Sequence, residues 1–242
     1  MSSMWDRFGY VGVVCFTGYK DRLPALKHEL ARVGLLDKVT FHWDFPNDVF
    51  RERAARGLPF KNENRKRCFP LGYSNYRVVK TAYHLGSDRC LVIQDDIRFL
   101  KDVGEIERIL SMLPEDYELA MLDKNWEGGA ADLERWMRDP RAMKVNDAWI
   151  SFNSMYSAGC YAMSRGMMER YIMVYERGQH QASGEGMLSC DEYFTRRHLG
   201  KDARLYAAVP SVAVQAVKGV HCLDGYWRNL ERSGTHRENY SE

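Results

Sequence analysis

The run Cys90-Leu91-Val92-Ile93-Gln94-Asp95-Asp96 constrains this chain more than any other segment. Four residues of the kind that fill protein interiors are followed at once by a polar residue and two adjacent carboxylates. An apolar run that short, bounded in that way, reads as a buried strand ending at an edge of the core. Adjacent acids repel, and each makes its neighbour harder to ionise. A divalent cation is the usual way to offset such repulsion. In open α/β sheets ligands bind beyond the carboxyl ends of the strands. The run therefore marks a candidate metal-dependent site, suited to a phosphate-bearing substrate.

The surrounding pattern predicts the sheet that such a strand needs. Tyr10 to Phe16 is a valine-rich strand candidate, followed by a turn at Thr17-Gly18-Tyr19-Lys20. A helix fits Asp21 to Val33: Asp21 is placed to cap it, Pro24 falls in its first turn, Leu23, Leu26, Leu30 and Val33 share a face, and Gly34 ends it. Val39 to Trp43 is a second strand, so the opening reads β-loop-α-β. Residues 44–72 carry little periodicity and a basic bias, as a solvated face or loop does. Ser74 is placed to cap a helix running to Leu85, with Gly86 ending it, and the strand with the paired acids follows.

Downstream, Asp102 with Glu105 has capping-box spacing before a helix with Ile106, Ile109, Leu110 and Leu113 inward, stopped by Pro114. Leu119 to Leu122 is another strand, ending at Asp123-Lys124-Asn125. A helix-loop segment around Leu133 to Met137, a strand over Ser157 to Met163, and a helix over Arg165 to Glu176 come next. A glycine- and serine-containing loop at 177–189, a short helix Asp191 to Leu199, and strands at Leu205 to Val209 and Val212 to Val217 complete the pattern. Strands alternating with helices predict an α/β fold with a mixed, mostly parallel sheet flanked by helices. The expected domain covers residues 8–217, with 218–242 as a polar C-terminal tail.

Composition narrows the partners. A formal charge of +2 over 242 residues gives no global basic field, so nucleic acid is not expected. No stretch approaches the ~18 consecutive apolar residues that span a bilayer, which leaves only peripheral membrane contact. The first seven residues lack the apolar core of a signal peptide. The six cysteines are dispersed, without a CxxC pair, and several sit in apolar runs. Buried free thiols in a reducing cytoplasm are therefore expected. A P-loop, a GxGxxG turn after the first strand, a GxSxG elbow and an HExxH pair are all missing from the sequence.

Four segments in order carry a family resemblance: Asp21-Arg22 after the first strand, Gly72-Tyr73-Ser74-Asn75-Tyr76-Arg77, Cys90 to Ile97, and Ser157-Ala158-Gly159-Cys160-Tyr161-Ala162-Met163-Ser164. Asp191 and the Pro210 to Gln215 segment follow. Together they resemble the glycosyltransferases of family 25, the lipopolysaccharide-biosynthesis type, over roughly residues 10–217. Gln94 stands where that family has Glu, and no His follows Ser74 at the helix start.

The resemblance implies a Rossmann-type GT-A fold and transfer of a sugar from a nucleotide-sugar donor, expected to be UDP-linked, to a glycan or related hydroxyl acceptor. Mn²⁺ or Mg²⁺ would bridge the donor phosphates. Asp96 is then the leading metal ligand, with Asp95 beside it or on the ribose, and His221 is a candidate third ligand. Asp191, or its neighbour Glu192, is the candidate base for a direct, inverting displacement. Thr17, Tyr19 and Arg22 are placed for the nucleotide, and Lys124 and Asn125 for a sugar hydroxyl or phosphate. Each has a plainer alternative: Asp95 and Asp96 capping a turn, Asp191 or Glu192 capping a helix, and His221 or Arg22 on the surface. Gln94 and the missing histidine motivate a second function, a catalytically inactive GT-A-like domain that binds a glycan or a partner. A metal-dependent phosphohydrolase using Asp95 and Asp96 is a third.

Overall fold

The computed structural model describes residues 3–43, 63–123, 144–152, 159–179, 199–209 and 211–215. Over these the chain forms β1 (Tyr10–Cys15), α1 (Leu23–Arg32), β2 (Val39–Trp43), α2 (Glu63–His84), β3 (Arg89–Gln94), β4 (Ile97–Phe99) and α3 (Val103–Ser111). Then follow β5 (Leu119–Met121), β6 (Trp149–Ser151), β7 (Cys160–Ser164), α4 (Arg165–Gln179), β8 (Leu205–Ala208) and β9 (Ala213–Gln215).

Seven strands join in the order β2-β1-β3-β7-β5-β8-β6. β2, β1 and β3 are mutually parallel, β7 runs antiparallel to both β3 and β5, β8 is parallel to β5, and β6 is antiparallel to β8. Five of these seven strands thus point one way, with β7 and β6 reversed. A separate ladder pairs β4 with β9 beyond the end of β3. This is the mixed α/β sheet flanked by helices that the strand–helix alternation predicts.

Helices cover both faces, which explains why the strands read as continuous apolar runs rather than alternating ones. On one face α1 and α3 place Leu26, Leu30, Ile106 and Ile109 against Val11, Val13, Leu91 and Ile93. On the other, α2 and α4 place Val78, Val79, Met168 and Tyr171 against Cys90, Val92, Tyr161 and Met163. Among the described residues both buried tryptophans have an outlet for the indole N–H: Trp5 donates to Val33 O at 2.7 Å and Trp149 to Ile109 O at 2.8 Å. Among the described residues no helix is long and apolar enough to cross a membrane. Cys15, Cys90 and Cys160 are buried free thiols, as expected, and burial pushes the Cys90 thiol up to about 12.

Local signals are accurate where one side chain or one backbone angle decides them. Asp102 caps α3 by accepting from Glu105 N at 2.8 Å. Gly34 and Gly86, at φ 72° and 79°, end α1 and α2 in the left-handed region that glycine enters freely.

Two helix starts differ from the sequence expectation. Thr17–Arg22 forms a 3-10 turn, so α1 begins at Leu23; Arg22, not Asp21, takes its N-cap position, with no side-chain capping bond. Helix α2 begins at Glu63, not Ser74. Pro70 and Gly72 interrupt its pattern and disguise its first turns. Ser74 and Asn75 are buried mid-helix, where Asn75 Nδ2 donates to Leu71 O at 2.8 Å and Asn75 Oδ1 accepts from Tyr161 OH at 2.9 Å. The Asn75 side chain therefore ties α2 to the sheet. β4 and β6, three residues each, are too short to announce themselves by periodicity. The helix-loop around Leu133–Met137, residues 180–198 and the tail 218–242 lie outside the described residues.

One glycine sets the distance between α2 and the sheet. A Cβ on Gly12 would lie 2.3 Å from Val78 Cγ1, a side chain with no exposure. Gly12→Ala is expected to destabilise by about 1–3 kcal/mol through overpacking. In urea titrations the Gly12→Ala/Val78→Ala double variant should lose less than the sum of the two single variants; strict additivity would place the contact elsewhere.

Candidate active site

Because β1 and β3 are parallel neighbours with Val14 opposite Gln94, the residues leaving both strands meet at one edge. The alternation of β3 assigns Gln94 to the face of Cys90 and Val92, under α2 and α4. The chain then turns, and the Asp95 carboxylate points back toward the exit of β1. Its Oδ2 accepts from Phe16 N at 2.9 Å and its Oδ1 lies 3.3 Å from Arg22 Nη1. The same Nη1 is 3.7 Å from Asp96 Oδ2. Asp96 Oδ1 is buried with no hydrogen-bond partner. One guanidinium thus faces two carboxylates, and one carboxylate oxygen is left open.

A third acid stands next to them. Asp123 follows β5 and is only 2% exposed; its Oδ1 accepts from Cys160 N at 2.7 Å and its Oδ2 from Gly159 N at 3.0 Å. The Gly159 carbonyl accepts in turn from Gln94 N at 2.7 Å. A continuous line of bonds therefore runs from Asp123 through Gly159 to the strand end that carries Asp95 and Asp96. The sequence reading passed over Asp123 in favour of its neighbours Lys124 and Asn125. The signal was present: Leu119-Ala120-Met121-Leu122 runs into an acid just as the β3 segment does.

Burial is the largest influence on Asp96, and it pushes the carboxyl up to about 7, with Asp95 adding to the rise, Arg22 opposing it and Asp123 contributing further. The acids open on a cleft of about 150 Å³ bounded by Asp21, Arg22, Glu29, Asp95, Asp96 and Arg98. That is smaller than the ~300 Å³ lower bound for pockets that enclose a drug-sized ligand. Its size and charged lining suit the ionic end of a ligand.

Of the residues expected at the site, the structure brings Arg22, Asp95 and Asp96 together. The backbone of Thr17 and Tyr19 lies on the 3-10 turn that joins β1 to Arg22. Lys124, Asn125, Asp191, Glu192 and His221 lie outside the described residues. Among the described residues no group of three or more His, Cys, Asp or Glu side chains is arranged to hold a metal ion. The available donor is Asp96 Oδ1, since both oxygens of Asp95 and both of Asp123 already accept bonds. An unpartnered, desolvated carboxylate oxygen beside a second acid fits a Mg²⁺-like cation, which is commonly held by one or two carboxylates together with substrate phosphates.

No family model matches the chain, and no curated protein matches its sequence. Solved structures do resemble it. The mannose-1-phosphate geranyltransferase of Thermus thermophilus aligns at TM-score 0.47 and 13% identity over 94% of this chain and 79% of that one. Mouse xyloside xylosyltransferase 1 aligns at TM-score 0.42 and 10% identity over 81% of this chain and 83% of that one. The galactosyltransferase LgtC, solved with donor and acceptor sugar analogues, aligns at TM-score 0.40 and 10% identity over 94% and 96%.

Two measurements test the electrostatics of the site. Asp96 has a folded pKa of about 7 against an ordinary value of 3.8, so the native chain keeps a proton that the unfolded chain has released. Stability of the metal-free protein should therefore fall as pH rises through that window, by at most ~4 kcal/mol. Asp96→Asn is expected to melt higher than wild type at pH 8 and level with it at pH 4. A gap of equal size at both pH values would contradict the assignment. Asp123→Ala strands two buried N–H groups and should cost about 2–5 kcal/mol in chemical denaturation; a loss under about 1 kcal/mol would mean that water replaces the carboxylate.

Proposed function

We propose that this protein is a glycosyltransferase of the GT-A type. It would move a sugar from a nucleotide-sugar donor, UDP-linked in the first instance, to a hydroxyl of a glycan or related acceptor. The observation that carries the reading is the open Asp96 Oδ1 beside Asp95 and Arg22, at the carboxyl edge of parallel strands. The family 25 resemblance, with Asp191 following its fourth segment, is part of the same proposal.

In the reaction the bond between the anomeric carbon and the donor phosphate oxygen breaks as an acceptor oxygen bonds that carbon. The acceptor proton passes to a base, and the nucleoside diphosphate leaves with the bonding electrons. Bound Mn²⁺ or Mg²⁺ would supply the charge neutralisation that a diphosphate leaving group requires. Asp96, with Asp95, would hold it, and His221 is the proposed further ligand. Asp95 is held by the Phe16 N–H as well as by Arg22, two contacts that the chain itself supplies. Thr17, Tyr19 and Arg22 are assigned to the nucleotide, Lys124 and Asn125 to a sugar hydroxyl or phosphate, and Asp191 or Glu192 to the base of an inverting displacement. A cytoplasmic setting belongs to this reading and is supported by the buried free thiols.

The phosphohydrolase reading needs a second acidic cluster. Asp123, the nearby third acid, has both oxygens committed to backbone N–H groups, which argues against it. The inactive-domain reading rests on the missing histidine and on Gln94, and β3 assigns Gln94 to the opposite face from the acids' cleft. Its neutrality therefore bears little on what Asp96 can bind.

Transfer or hydrolysis assayed across a panel of UDP-sugars, with Mn²⁺ and with chelator, is expected to give metal-dependent turnover with at least one donor. Asp96→Ala should lower that rate by orders of magnitude. Calorimetry that detects no nucleotide-sugar under any metal would end the proposal, and an unchanged Asp96→Ala rate would remove that residue from it.

A further inference from the structure

Arg22 occupies the place where the charge of the site is decided. Its Nη1 lies 3.3 Å from Asp95 Oδ1 and 3.7 Å from Asp96 Oδ2, within a side chain only 18% exposed. One positive charge is shared between two acids, and Asp123 adds a third negative charge close by. The match is incomplete, as Asp96 Oδ1, buried and unpartnered, shows. A divalent ion carries twice the charge and takes carboxylate oxygens as ligands. An ion that holds both acids needs an oxygen of Asp95 as well as one of Asp96, and Arg22 lies against Asp95 Oδ1 and Asp96 Oδ2, so the two cations compete for the same pair.

The backbone allows one to give way to the other. Arg22 sits at the junction of the 3-10 turn and α1 and makes no side-chain capping bond there. From there its guanidinium reaches back to the acids at the end of β3. Asp95 has a second tether in Phe16 N at 2.9 Å, so it stays in place when the guanidinium leaves. Arg22 also lines the cleft.

We propose that Arg22 is a resident counter-cation: it holds the Asp95–Asp96 pair while no divalent ion is bound, is displaced when one arrives, and then takes the diphosphate of the donor. Arg22 is thus a positioning residue before the donor arrives and a ligand to it afterwards. The inference rests on the metal and nucleotide reading given above. It differs from an ordinary phosphate contact in one consequence: removing Arg22 strengthens metal binding while weakening nucleotide binding. A guanidinium with a merely structural role would move neither quantity in that pattern.

The experiment compares wild type, Arg22→Gln and Arg22→Lys. Mn²⁺ binding to the metal-free proteins is followed by calorimetry and by the rise in melting temperature, and UDP binding is then measured on the Mn²⁺-loaded proteins. Arg22→Gln is expected to bind Mn²⁺ on the order of tenfold more tightly, since a competing charge is gone, and UDP on the order of tenfold more weakly. Arg22→Lys, which keeps the charge, should stay near wild type for Mn²⁺. If Arg22→Gln does not fold without metal, Mn²⁺ should restore its folding; failure to fold in either condition overturns the proposal. Equal or weaker Mn²⁺ binding by Arg22→Gln overturns it too, with the metal reading left standing. Tighter Mn²⁺ with unchanged UDP overturns the hand-over to the diphosphate. Mn²⁺ binding by none of the three proteins removes the metal reading itself, and the proposal with it.

Discussion

Two carboxylates share one guanidinium where β1 and β3 end, a third acid after β5 adds its charge, and much of the described structure serves to hold that unfavourable arrangement in place. Like charges at close range in a desolvated setting repel strongly. They stay together because each is anchored by groups that cannot follow the repulsion. Asp95 is fixed by the Phe16 N–H, Asp123 by the N–H groups of Gly159 and Cys160, and Asp96 by its place in the turn between β3 and β4. The anchors are backbone donors in or beside strands of the central sheet. The sheet's register, more than any side-chain packing near the acids, is therefore what sets their spacing.

The two layers contribute differently. Beneath the acids, α1 is clamped to the short β4 ladder: Glu29 accepts from Phe99 N at 3.1 Å and from Arg32 at 2.8 Å, while Arg32 donates to Phe99 O at 2.6 Å. This fixes the helix whose first residues follow Arg22, so the cation's root and the acids' turn belong to one rigid corner. On the other face, α2 lies close to β1 because Gly12 has no side chain, and Asn75 bonds across to Tyr161. That face holds apolar and tyrosine side chains and keeps the strands in register without adding charge near the acids. The division lets a costly electrostatic cluster sit on an otherwise conventional core.

How far the sequence could be read follows from what decided each feature. The strand with the paired acids, the cap at Asp102 and the stops at Gly34 and Gly86 depend on one or two residues in a row, and all were legible. The start of α2 was not, because Pro70 and Gly72 look like breakers although the helix runs through both. The reversed direction of β7 was not legible either, since no local pattern records which neighbour a strand will find. At the site, Asp95 and Asp96 stood out as a pair. Asp123 did not, because a lone acid after a short strand is common, and its proximity to the other two comes only from β7 lying between β3 and β5.

Gln94 shows how the same geometry changes the meaning of a residue. Read along the chain, it is the first of three polar residues and looks like a missing carboxylate. On the sheet it is the last residue of β3, on the face of Cys90 and Val92, and its backbone N–H takes the Gly159 carbonyl that Asp123 holds in position. Its backbone contributes the link between the Asp123 anchor and the two acids. A charged side chain at that position would be buried under α2 and α4, where Gln94 is 4% exposed, and ionising it there would be costly. A neutral amide is what that position tolerates, so no further charge joins Asp95, Asp96 and Asp123, and the pair beside Arg22 is left to whatever cation the cleft admits.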